Sequence, residues 1–237
     1  MRILITAEGE TERIFVENVL ALHLGNRGLF ASARKVLTSK NRETGYESRG
    51  GFRRNDAYKT VRADIITWMK QDRAADVCFT TMFDLYALPE DFPGAEPAKT
   101  ISDPYKKVTA LEQALKNDIE QEHDAIGSRR FIPYIQLHEF EALILSDPRR
   151  LDWQYMEHER EIQNLIALVA SKNGNPELIN DDYETCPSRR IIKEIPGYKR
   201  QKATVGPLIA KKIGIHTMRE KCPHFNQWID QMEALPR

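Results

Sequence analysis

A chain of 237 residues can build one sizeable α/β domain with an appendage, or two small domains, without disulfide or metal staples. Its 35 basic and 35 acidic side chains cancel, which excludes a global field for nucleic acid and leaves any such attraction to local patches. Cys78, Cys186 and Cys222 show no CxxC spacing, no apolar run approaches the roughly 20 residues of a membrane span, and the first residues carry no signal-peptide pattern. These features predict a soluble cytoplasmic protein with reduced thiols.

Ile3, Leu4 and Ile5 form a short apolar run suited to a buried strand, and Ala7-Glu8-Gly9-Glu10-Thr11-Glu12 follows it. Helical spacing of the apolar residues from Ile14 to Leu20 predicts a helix over 12–24, so a carboxylate cluster stands at a strand-to-helix turn. Gly9 permits the turn and Thr11 is placed to cap the helix. In an open α/β sheet the carboxyl ends of the strands face the ligand crevice, which puts Glu8 in position to hold a metal. Glu10 and Glu12 also complement the helix dipole.

Gly25 and Gly28 end this helix, and residues 29–38 read as a second strand. Over 39–55 the chain turns polar, with Gly45, Gly50 and Gly51 among Lys40, Arg42, Arg49, Arg53 and Arg54. The expectation is a mobile basic loop, either a solvated connector or a flap whose Arg53 and Arg54 contact phosphates. A helix over 56–71 and a strand over 75–83 come next, and Asp84-Leu85-Tyr86 puts a second carboxylate at a strand end. Pro89 and Pro93 stiffen the loop beyond it.

A further helix is predicted from 103 or 104 to 123, with Val108, Leu111, Leu115 and Ile119 as its apolar stripe. Residues 131–136 form the last predicted strand, at an edge or with a bulge because of Pro133. It runs directly into His138-Glu139-Phe140-Glu141, a third acidic cluster at a strand-to-helix junction. As ligands Glu141 ranks above Glu139, and both rank above His138. Strand and helix thus alternate through 1–147, the pattern of an α/β domain with a mostly parallel sheet flanked by helices.

From 148 to 237 only helices are predicted, near 157–171, 176–179, 188–195, 206–213 and 223–235, as a helical appendage packed on the sheet. Arg189, Arg190, Lys193, Lys199, Arg200, Lys202, Lys211 and Lys212 form a basic patch there, with Glu194 as the nearby acid. Tyr198 and a turn at Thr204-Val205-Gly206-Pro207 supply the aromatic and backbone-donor elements that phosphodiester binding uses.

The turn Ala7-Glu8-Gly9-Glu10-Thr11-Glu12 after a first strand resembles the Glu-Gly turn of Toprim domains, the metal-binding module of topoisomerases, primases and the overcoming-lysogenization-defect nucleases. More narrowly, four segments together resemble an uncharacterised Toprim-like family whose members are often encoded beside an ATPase in bacterial defence loci. They are that turn, Phe83-Asp84-Leu85-Tyr86 with its proline loop, Gln136-Leu137-His138-Glu139-Phe140-Glu141-Ala142, and Pro187-Ser188-Arg189-Arg190-Ile191-Ile192-Lys193 with Gly206-Pro207. The resemblance spans nearly the whole chain and implies a sheet of about four parallel strands, with an ATPase as partner. It matches Glu8 to the Toprim glutamate and Asp84 to the first aspartate of an Asp-x-Asp motif, while Tyr86 stands where the second would be. Asp91, Glu139 or Glu141 then completes the metal site, or the site binds metal weakly.

Acidic side chains at three strand ends suit Mg²⁺ or Mn²⁺ better than zinc. The resulting expectation is a nuclease in which Glu8, Asp84 and Glu141 hold the cation, Glu12 is a further ligand or orients water, and Arg189, Arg190 and Lys193 contact phosphates. The rival is a non-catalytic module of the same fold that senses nucleic acid or docks on an ATPase. A nucleotide-binding enzyme ranks third, because no GxxxxGK[ST] loop occurs.

Overall fold

In the computed structural model, which describes residues 1–40, 47–52, 57–122, 130–179 and 185–236, the run Ile3-Leu4-Ile5 lies in the buried strand β1 (Arg2–Ala7). It leads into α1 (Glu10–Phe15), which continues through a π-helical segment at Val16–Leu20 into α2 (Ala21–Gly25). The helix starts ahead of the predicted position. Gly9 stands at its boundary, and Thr11 lies inside the first turn and does not cap it.

The strand predicted over 29–38 is divided. β2 (Phe30–Lys35) pairs parallel with β1, and Val36 then donates its N–H to the Ala7 carbonyl at 2.8 Å as the chain leaves the sheet. It continues as an antiparallel hairpin of β3 (Leu37–Lys40) and β4 (Glu47–Arg49). The described parts of the predicted mobile loop are therefore paired backbone. Arg49 is committed to it, donating to the Lys35 carbonyl at 3.0 Å and to the Asp64 carboxylate at 3.2 Å.

α3 (Ala57–Gln71) buries Tyr58, Val61, Ile65 and Met69. β5 (Val77–Asp84) follows and pairs parallel with β1, from Arg2 opposite Val77 to Ala7 opposite Met82. After a loop holding α4 (Ala95–Ala98), α5 (Pro104–Glu122) buries the stripe of Val108, Leu111, Leu115 and Ile119. β6 (Phe131–Ile132) and β7 (Ile135–Gln136) both pair parallel with β5, interrupted at Pro133-Tyr134. Proline brings no N–H to the ladder. The Thr81 hydroxyl fills the gap, donating to the Tyr134 carbonyl at 2.8 Å and accepting the Tyr134 N–H at 2.8 Å. The sheet order is β2-β1-β5-β6, with β7 also on β5, and every pairing in it is parallel.

Successive residues of a strand face opposite sides, so Ile3 and Ile5 enter one core and Leu4 the other. The Leu4 side is covered by α3 and α5 through Val61, Ile65, Leu111 and Leu115. The other side is covered by α1 together with the C-terminal helices. These are α6 (Glu141–Ile144), α7 (Glu159–Ser171), α8 (Pro187–Glu194), α9 (Tyr198–Ile213), α10 (Ile215–Lys221) and α11 (Pro223–Glu233). Ile191, Tyr198, Ile209, Phe225 and Trp228 share a core with Ile3, Ile5 and Phe15. Trp228 also donates its indole N–H to the Thr80 hydroxyl at 2.9 Å and stacks on Tyr134 with 4.1 Å between ring centroids.

α9 runs unbroken through Gly206-Pro207, where the dipeptide predicts a turn. Pro207 removes one helical N–H, but Gly206 is buried against Tyr198, Phe140 and Thr11, and that close packing holds the backbone helical. The three cysteines are free and buried. Among the described residues no helix is long and apolar enough to cross a membrane.

Candidate functional site

Because β1 and β5 are adjacent and parallel, the residues that end them are neighbours. Glu8 extends the ladder by donating its N–H to the Met82 carbonyl at 3.0 Å, and the Asp84 N–H donates to Glu8 Oε2 at 2.9 Å. The chain then turns at Gly9, and Glu12 folds back so that its Oε2 accepts the Gly9 N–H at 2.8 Å. A Cβ at residue 9 would stand 3.1 Å from that oxygen, so glycine lets the carboxylate close on the backbone.

Glu141 opens α6 just past β7 and is buried. Its Oε1 accepts the Tyr198 hydroxyl at 3.1 Å and faces Lys202 Nζ at 3.3 Å, both supplied by α9. Glu139 accepts the Ser188 N–H at 2.8 Å and so ties down the first turn of α8. Residues as far apart in the chain as Glu8 and Lys202 thus meet at one end of the sheet.

Crowding carboxyls away from water disfavours their charged forms. Burial, reinforced by the charge of Glu12, pushes Glu8 up to about 8, with the Asp84 N–H opposing in part. Burial raises Glu12 to about 7, and the charge of Glu141 adds to the rise. Asp84 is held well above the usual carboxylate range by burial and then by Glu8, Glu12 and Glu141. Glu141 is also raised by burial, and Lys202 offsets part of that. For Lys202 burial works against the charge, yet Glu141 and Glu139 outweigh it and the ammonium is stabilised.

Asp84 is half-buried as a residue, but its Oδ1 is covered and has no hydrogen-bond partner. A buried acceptor without a donor is costly, and a hard cation is one of the few groups that would satisfy it among other carboxylates. Glu8, Asp84 and Glu141 therefore fit a divalent ion by donor chemistry, with Glu139 beside them. Among the described residues no group of three or more His, Cys, Asp or Glu side chains is placed to hold a metal ion. Glu8, Glu12, Glu139 and Glu141 instead hold donors of the chain itself.

The other predicted residues divide. Glu10 pairs with Arg13 and Lys35, which hold it down to about 2, so it belongs to the helix surface. Asp91 accepts the Tyr58 N–H at 3.3 Å near the start of α3. Arg189 and Arg190 are half-buried on α8 and Lys193 is exposed, with Arg190 Nε donating to the Thr185 carbonyl at 3.1 Å. Since Glu139 holds the start of α8, this basic helix begins at the rim of the acidic crevice. Arg53 and Arg54 lie outside the described residues. Lys202 and Tyr198, read in the sequence as phosphate-contact elements, instead face Glu141. His138 is buried at φ 66°, and burial lowers its imidazole to about 4, with the Glu177 backbone opposing in part.

No curated protein and no solved structure matches the chain. A family model matches residues 7–233, a span that includes both the carboxylate crevice and the helices that wall it. On that match the chain belongs to the family described as a domain of unknown function, DUF4276.

Proposed function

We propose that the protein is a Mg²⁺- or Mn²⁺-dependent nuclease with a Toprim-like fold that hydrolyses phosphodiester bonds of DNA or RNA. The observation that carries this reading is the meeting of Glu8, Glu12, Asp84 and Glu141 at the carboxyl ends of parallel strands, with Asp84 Oδ1 buried and unpartnered. The resemblance of the Glu8-Gly9 turn and of Asp84 to the Toprim motif supports it. That resemblance also underlies the assignment to cytoplasmic antiphage defence with an ATPase partner.

A bound divalent ion would neutralise charge on the phosphoryl oxygens and make its water more acidic. Glu8, Asp84 and Glu141 would hold the ion, with Glu139 as a further ligand. Glu12 is fixed by the Gly9 N–H in position to orient or deprotonate a water. Lys202 balances Glu141 and keeps the crevice from repelling phosphate outright. Arg189, Arg190 and Lys193 lead the strand toward it, with affinity that falls as salt rises.

Tyr86 in place of a second aspartate favours a second reading, a nucleic-acid-sensing or ATPase-docking module without hydrolysis. The deciding experiment incubates the protein, with and without a genetically neighbouring ATPase plus ATP, with plasmid, single-stranded DNA and tRNA in Mg²⁺ and in Mn²⁺. Cleavage is expected, and Glu8→Gln and Asp84→Asn should each reduce it by at least about a hundredfold while binding persists. Absence of cleavage throughout, or full activity in both variants, leaves the binding module as the function.

A further inference from the structure

Immediately beyond Asp84 the chain forms a short 3₁₀ turn, Leu85–Ala87, and Tyr86 from this turn lines a cavity of about 380 Å³. The opposite wall comes from α5 and from the segment after β7, which contributes His138. The backbones of the two aromatic residues are tied together, since the Tyr86 N–H donates to the His138 carbonyl at 3.2 Å. Their rings lie 5.4 Å apart and 31° from parallel.

Leu88, Leu111 and Leu178 make much of the remaining wall apolar, and Lys107 brings a positive charge to it. His138 is 2% exposed, and although the Glu177 backbone lies near its ring, neither ring nitrogen makes a hydrogen bond of normal geometry. It also occupies the left-handed backbone region, which a non-glycine residue holds only when its surroundings enforce it. A buried ring whose nitrogens are poorly satisfied is costly unless a neighbour or a ligand supplies complementary groups. A lining of aliphatic and aromatic side chains that includes Tyr86 and His138, with a lysine among them, describes a receptor for a heteroaromatic ring linked to a phosphate. The volume falls at the small end of ligand sites, room for one base and its sugar and not for a stacked helix.

We infer that this cavity takes a single unstacked nucleobase of the nucleic-acid strand, with Tyr86 and His138 as its recognition residues and Lys107 on the adjoining phosphate. The inference rests on the nuclease reading above and adds a base-reading subsite next to the carboxylates. On this view Tyr86 stands where an acid is expected because that position faces a base and not a cation. The bound substrate is then single-stranded, or has one base turned out of its stack, because a paired base cannot enter a cavity of this size.

The test uses the full chain and single-stranded DNA and RNA oligomers carrying 5-iodouracil, with photo-crosslinks mapped by mass spectrometry and affinity measured by anisotropy. Crosslinks are expected in the peptides containing Tyr86 or His138. Ser102→Trp, which fills the cavity from its exposed rim, should remove them and weaken oligomer binding by at least about fivefold. His138→Phe, which keeps a ring but deletes both nitrogens, should weaken binding in the same direction.

If oligomers bind, Ser102→Trp binds as tightly as the native chain and crosslinks map elsewhere, the base subsite is overturned while the nuclease reading stands. If free nucleotides bind in a way that Ser102→Trp abolishes but no oligomer binds, the cavity is a nucleobase site and the nuclease reading fails. If neither oligomers nor nucleotides bind, both are overturned.

Discussion

Lys202 is the cation set against Glu141, and its charge is small beside the carboxyl groups of Glu8, Glu12, Asp84, Glu139 and Glu141. The imbalance makes Asp84 a residue whose removal should stabilise the protein. At pH 8 in chelator, Asp84→Asn should raise the denaturant midpoint, because burial and the neighbouring carboxylates disfavour the ionised form that the unfolded chain adopts at that pH. Mg²⁺ or Mn²⁺ should raise the melting temperature of the native chain by mass action and leave that of the variant nearly unmoved. A native melting curve indifferent to millimolar cation would remove the metal from the site. The acids of this crevice were legible in the sequence because each cluster lies at the end of its own strand, so a local pattern locates it. Tyr198 and Lys202 were not, since they lie 57 and 61 residues beyond Glu141 and only the crossing of α9 brings them there. His138 ranked last among candidate ligands, and its burial depends on how the neighbouring elements pack, which no spacing encodes.

That crossing depends on Gly206. A Cβ there would meet the Tyr198 hydroxyl at 3.1 Å and Phe140 Cε1 at 3.4 Å, so α9 approaches α1 and the start of α6 only because residue 206 has no side chain. Gly206→Leu should cost about 1–3 kcal/mol through overpacking and displace Tyr198 from Glu141. Equal denaturant midpoints for the variant and the native chain would show that the contact yields freely. The same residue marks where local reading of the chain failed, since Gly-Pro is a strong turn signal and here tertiary packing overrides it. The basic stretch after β2 misled for a related reason. Its glycines suggested a mobile loop, but backbone pairing across β3 and β4 and the ion pair of Arg49 with Asp64 fix the described part. By contrast β1, β5, α3 and α5 were legible because each buries a continuous run or a helical stripe. Pro133 likewise signalled the interruption between β6 and β7.

The two faces of the molecule are joined at the β6 edge by the pair Glu112 and His224, on α5 and α11. Glu112 Oε1 lies 2.9 Å from His224 Nε2 and also accepts the Ile135 N–H at 2.8 Å. Burial alone would pull the imidazole down, but the hydrogen bond and charge of Glu112 outweigh it and the net shift is upward. A raised histidine contributes stability that is fully present below its unfolded value of about 6.5 and is lost as pH climbs through the folded value. Glu112→Gln should therefore destabilise more at pH 6 than at pH 9, and equal losses at both would show that the pair is uncharged throughout. Trp228, whose indole reaches Thr80 across 148 positions of sequence, belongs to the same closure. It also bears on how the protein is made. A ribosome that has released all the strands has produced the acids but not Tyr198, Lys202 or most of the C-terminal helices that, with α1, cover Ile3 and Ile5. The nascent chain therefore carries its carboxylates without the wall that arranges them, and reaches its finished form only late in synthesis.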